Sequence, residues 1–141
     1  MTLDPGVLLL NLRATGVLLA GLVVLNTFVP RRFGWREELA RVSPLNRQIF
    51  QVHTFFICVV LVLFGALSLF APAALLDPTP LARLVLVGIA GFWGLRLFCQ
   101  WFVYDSVLWR GHAFNTAMHV LASLLWLYLT AAYAWARVAL G

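Results

Sequence analysis

Four long apolar runs decide most of what this chain can become. They cover residues 7–28, 49–71, 81–103 and 113–136, each roughly 22–24 residues long. A helix that crosses the hydrocarbon core of a bilayer needs roughly 20 such residues. A membrane β-barrel would show alternation over much shorter segments. The chain therefore reads as all-α, a polytopic integral membrane protein whose four transmembrane helices form one bundle domain over residues 1–141. Pro30 follows the first run, Pro72 closes the second, and Pro78 and Pro80 precede the third. Helices tolerate proline at such boundaries.

Composition closes off the other classes. The chain is 63% hydrophobic and 11% charged, against roughly half and a quarter in soluble domains. So little polar surface cannot cover a soluble core of this size. A cytosolic enzyme, a nucleic-acid-binding module and a disordered tail are excluded on that ground.

The net charge of +5 comes from arginines, without a single lysine. Arg31, Arg32, Arg36, Arg41 and Arg47 fall in the connection between the first two runs, and Arg110 lies in the third connection. The opposite side holds only Arg83, Arg137 and Arg13. Such bias reports topology and contact with anionic lipid rather than nucleic acid. It predicts a multi-pass protein of a bacterial-type inner membrane with both termini on the non-cytoplasmic side. The first run lacks a basic leader, carries Asp4 and has no small-x-small site before Pro30, so it is expected to stay in the mature protein.

The arginine-rich connection has a pattern of its own. Trp35, Leu39 and Val42 recur at i, i+4 and i+7, with Arg36, Glu37 and Arg41 turned away. This predicts a short amphipathic helix in the cytoplasmic headgroup layer, with Glu37 and Arg41 at a favourable i, i+4 spacing. Ser43 followed by Pro44 makes a cap and first-turn start, so the second helix is expected to begin ahead of its apolar run. Cys58 and Cys99 lie inside apolar runs with no metal or redox spacing, and read as packing thiols.

Polar groups inside a span are costly and need a partner or a purpose. The second helix carries Gln51 and His53, the third Arg96 and Gln100, and the fourth His112, Asn115, Thr116 and His119. At 1.5 Å of rise per residue, His53 lies roughly 9 Å from Arg47, and Arg96 about 13 Å from Asp105. His119 lies roughly 10 Å from His112. Three helices thus carry His, Arg and Gln at one level in the cytoplasmic leaflet. On the fourth helix His112, Asn115, Thr116, His119, Ser123, Trp126, Thr130 and Tyr133 form one stripe. Trp101, Tyr104 and Trp109 read as an inner aromatic belt, and Trp93 and Trp126 as deeper packing or pocket residues.

His53, Arg96, Gln100, Asn115, His119 and His112 are accordingly the candidate ligand-binding residues. His53 and His119 are the candidate metal ligands for haem b, with Arg47 or Arg31 near its propionates. Arg96 is the costliest residue to insert, at about 2.5–3.5 kcal/mol. Its fork suits a lipid phosphate, a quinone oxygen or a carboxylate. Gly88, Gly91 and Gly94 form a small-residue stripe suited to close helix packing, within the chain or against another subunit.

No nucleophile–base pair, phosphate loop or zinc-protease motif occurs, so no catalytic residue is assigned. Three functions remain. One is binding of a cofactor or amphiphile such as haem b, quinone, isoprenoid or lipid in the His/Arg/Gln site. The second is an oligomeric channel or transporter using the polar stripe of the fourth helix. The third is an accessory or anchor subunit of a larger membrane complex. The expected partners are the lipid bilayer, further copies of the chain or a larger membrane protein, and no nucleic acid.

Overall fold

The computed structural model describes residues 4–32, 34–105, 107 and 111–141. Trp109, Arg110 and the side chains of Arg31 and Arg32 lie outside the described residues. The order of elements is α1 (Pro5–Arg32), α2 (Trp35–Ala40), α3 (Pro44–Phe70), α4 (Pro72–Leu75), α5 (Pro80–Phe102) and α6 (Ala113–Ala139). No strand occurs among the described residues. The protein is all-α, and α1, α3, α5 and α6 are each long and apolar enough to cross a membrane.

Local chemistry explains where the helices begin. The Ser43 hydroxyl accepts from the Asn46 N–H at 3.3 Å with Pro44 opening α3. Thr79 accepts from the Ala82 N–H at 3.2 Å with Pro80 opening α5. Each cap satisfies one of the orphan donors of a first turn. The cap draws the start of α3 back from the apolar run to residue 44. α1 also outlasts its run, continuing through Pro30 to Arg32. A proline this close to a C-terminus forfeits one backbone bond without ending the helix.

The short helix in the first connection is present, but it is shorter than the i, i+7 pattern implies. Gly34 adopts the left-handed region at φ 64° and starts it. The Gly34 carbonyl accepts from the N–H groups of Glu37 and Glu38. Helix α2 stops at Ala40, because Arg41 and Val42 are taken up in the turn to the Ser43 cap. Val42 is exposed, so only Trp35 and Leu39 form the apolar face.

The chain divides into two compact units, Met1–Leu12 with Ala73–Gly141, and Arg13–Pro72. In the first, α5 packs along α6. The buried positions of α5 are Ala82, Leu86, Ile89, Trp93 and Gln100, spaced so that one helical face carries all five. Leu129, Ala132, Tyr133 and Ala136 answer them on α6, with Tyr133 fully buried. Lipid tails are as apolar as leucine, so close packing and interhelical hydrogen bonds hold such a pair together. The Arg83 guanidinium adds one, donating to the Leu140 carbonyl at 3.0 Å.

The second unit has a glycine crossing. A Cβ added to Gly16 of α1 would lie 2.9 Å from the Gly65 carbonyl oxygen and from the Leu69 backbone nitrogen of α3. The two backbones therefore approach as only small residues allow. Thr15, Leu19, Leu61 and Ser68 are buried in this unit.

Candidate functional site

The site is built on one face of α5 and the facing stripe of α6. Gln100 extends the buried face of α5 and is 7% exposed. Its amide is the hub. Oε1 accepts from Trp126 Nε1 at 3.3 Å and from Arg96 Nη1 at 3.4 Å. Nε2 faces His119 Nδ1 at 2.9 Å.

Donor and acceptor chemistry orients this hub. Indole and guanidinium groups can only donate, so the oxygen of Gln100 must face Trp126 and Arg96. Its NH2 group must then donate to His119 Nδ1. An accepting Nδ1 puts the ring proton of His119 on Nε2. One amide thus sets the tautomer of a histidine on the neighbouring helix.

Aromatic rings complete the enclosure. The Arg96 guanidinium carbon lies 4.9 Å from the Trp126 ring centroid and 5.6 Å from that of Tyr104. Both distances fall within cation–π range, worth about 0.5–2 kcal/mol according to burial. Trp126 in turn stacks on Trp93 at 5.3 Å with 7° between the planes. Arg96 is half-buried, and among the described residues it has no carboxylate partner. One of its five N–H donors is engaged by Gln100, and the charge is cushioned rather than neutralised.

The neighbouring polar residues of α6 are tied back to their own helix or to α5. Ser123 donates to the His119 carbonyl at 2.8 Å and accepts from Trp101 Nε1 at 3.1 Å. Thr130 donates to the Trp126 carbonyl, and its methyl lies 3.6 Å from the Cβ position of Gly94. From His119 to Tyr133 the stripe is thus turned into the α5–α6 packing.

Of the six candidate residues, the structure brings together Arg96, Gln100 and His119. Asn115 sits half-buried one turn before His119 on α6. His112 is the exposed residue that caps α6 through its backbone, and its carbonyl accepts from the Thr116 N–H at 2.9 Å. His53 belongs to the other unit, where it is exposed and its Nδ1 donates to the Ile49 carbonyl at 2.8 Å.

The histidine environments bear on haem. A histidine ligand offers iron a ring lone pair, and usually donates its other N–H outward. The bond that His53 Nδ1–H donates to the Ile49 carbonyl leaves its lone pair on Nε2. His119 is engaged differently. Its Nδ1 lone pair is taken by Gln100 and its Nε2 carries the proton. Reversing the Gln100 amide would set its NH2 against two donors, Trp126 and Arg96. No cluster of three or more metal-binding side chains occurs among the described residues.

Two members of the site lie outside the six candidates, Trp126 and Tyr104. Tyr104 lies two residues past the end of α5, so its place over Arg96 comes from the turn that follows the helix and not from helical spacing. The role of Trp126 as a donor to Gln100 depends on how the two helices are phased, which no single-helix pattern encodes. No protein-family model, curated protein or solved structure matches this chain.

Proposed function

We propose that this protein binds an amphiphile within the membrane, holding its anionic or carbonyl oxygen head at Arg96 and its apolar body along the aromatic residues of α5 and α6. The supporting observation is the state of Arg96 itself. A guanidinium sits part-way along a membrane-length helix, wedged between Trp126 and Tyr104, with no carboxylate partner among the described residues and most of its donors uncommitted. A charge in a span is retained where something compensates it. A quinone oxygen, an isoprenoid phosphate or a lipid phosphate would do so through the arginine fork.

In this reading Gln100 and His119 are positioning residues. Gln100 steers the guanidinium and His119 restrains Gln100, while Trp93 and Trp126 supply a flat apolar wall. The tautomer of His119 favours these heads over a haem ligated by two histidines. The closed bonding of the α6 stripe likewise favours a binding site over a conduction path. Arginine bias favours the cytoplasmic leaflet for this site.

The test is an extraction. Detergent-purified protein is analysed by optical spectroscopy, oxidised and reduced, and by mass spectrometry of its extracted lipids. The wild type is expected to be colourless and to carry one amphiphile per chain more than Arg96→Gln does. Arg96→Gln is expected to lose it while keeping the wild-type elution volume and helical content. An empty wild type, or a variant that retains the same molecule in the same amount, would overturn the proposal. A Soret band would replace it with haem.

A further inference from the structure

A second site lies in the other unit, in the connection that the arginines crowd. Helix α2 folds back on the start of α3 and encloses an open groove of about 540 Å³, with Trp35, Arg36 and Leu39 on one side and Arg47, Phe50 and Gln51 on the other. That volume is within the range of ligand pockets, about 300–1,000 Å³. The ring of Trp35 meets that of Phe50 edge to face at 5.2 Å and 84°, an arrangement that braces the short helix against the long one.

The lining is divided by chemistry. Two guanidinium groups, Arg36 and Arg47, come from different helices and border the same space. The acidic residues of α2, Glu37 and Glu38, are outside the lining, so the charge within it is purely cationic. Trp35, Leu39 and Phe50 provide an adjoining apolar wall. An occupant that satisfies both parts has a phosphate head and an acyl body.

We infer that the groove formed by α2 and the first turns of α3 binds one anionic phospholipid, with its phosphate held between Arg36 and Arg47 and an acyl chain against Trp35, Leu39 and Phe50. Charge complementarity selects the headgroup, since each arginine near anionic lipid is worth about a fivefold change in binding. The length of α2 fits this task better than anchoring. Six residues, of which Trp35 and Leu39 form the apolar face, are too few to hold a membrane surface alone, but they suffice as one wall of a lipid site.

The experiment is native mass spectrometry of the full chain in detergent, titrated with phosphatidylglycerol or with phosphatidylcholine. The wild type is expected to retain one phosphatidylglycerol in preference to phosphatidylcholine. Arg36→Gln or Arg47→Gln should each weaken that preference about fivefold, and the double variant roughly 25-fold. Arg41→Gln removes the same charge from the same connection but lies outside the groove, and should leave the preference unchanged. Arg96→Gln should also leave it unchanged, which separates this site from the one on α5 and α6. Equal losses for Arg41 and Arg36 would reduce the effect to diffuse attraction and overturn the inference. So would a double variant with wild-type preference, or displacement of the lipid by millimolar inorganic phosphate alone. Leu39→Glu is the second arm. It keeps both arginines but adds a carboxylate beside them, so it should abolish retention, and retention by this variant would overturn the inference.

Discussion

At the scale of single residues, Gln100 determines more than its lack of charge implies. It is nearly buried, accepts from Arg96 and Trp126, and donates to His119. Hydrogen bonds between membrane helices are worth about 0.6 kcal/mol on average and at most about 1.7. Replacing Gln100 with leucine removes three, so a loss of about 2 kcal/mol is expected in denaturation from mild detergent into SDS. The finer prediction concerns chemistry. Gln100→Glu keeps an acceptor for Arg96 and Trp126 but has no N–H for His119. The histidine then has no reason to keep its proton on Nε2. Nitrogen NMR of 15N-histidine-labelled protein should report an Nε2–H tautomer for His119 in the wild type and an Nδ1–H tautomer in Gln100→Glu. An unchanged ring would mean that Gln100 does not set it.

At the scale of elements, glycine separates the two units. The Cβ of Gly16→Ala would press on backbone atoms of α3 at 2.9 Å, so the helices must part. Overpacking of this kind costs about 1–3 kcal/mol. Gly65→Ala meets the Cβ of Leu19 at 3.3 Å and should cost less. On α5 the expectation reverses, because among the described residues nothing lies within 4 Å of a Cβ at Gly88 or Gly91. Alanine there should stabilise the helix by up to about 1 kcal/mol. Thermal melts of the four alanine variants check the order. A destabilising Gly91→Ala would show that this face is covered in the assembled protein. Helix number, type and core spans were legible in the sequence because hydropathy over a bilayer's thickness is a local property. So was the Ser43 start, whose cap acts within three residues, while the matching Thr79 cap of α5 emerged only in the structure. The close approach at Gly16 was not, since the α5 stripe is the more regular small-residue pattern and yet stands open. The site was legible in part for the same reason. Arg96 and Gln100 share a face by spacing, and His119 shares their depth, but the phase that turns His119 and Trp126 onto Gln100 belongs to the pair of helices. His53 had the matching depth as well, and its ring is engaged by its own helix.

At the scale of the whole molecule, the distribution of arginine is the lever. The connection from residue 29 to 48 holds half of the ten basic residues, and those of the even-numbered connection and the ends are few. Cationic side chains near a span resist export, so the side that holds them is expected to remain cytoplasmic. Alkaline phosphatase fused after Gly141 should therefore be active, and a fluorescent protein fused there dark. A cysteine placed at Asp77, in the connection between α3 and α5, should react with a membrane-impermeant maleimide in intact cells. One at Glu38 should react only after permeabilisation. Neutralising Arg31, Arg32, Arg36, Arg41 and Arg47 together should mix the two patterns, because the remaining arginines lie on both sides. The opposite labelling pattern in the wild type would invert the molecule. Both arginine sites would then face the outer leaflet, and the amphiphile proposed for Arg96 and the phospholipid proposed for Arg36 and Arg47 would have to be drawn from there. The leaflet follows from topology, whereas the bonding of Arg96 to Gln100 and of Gln100 to His119 does not, so the extraction and the labelling experiments test independent parts of the same protein.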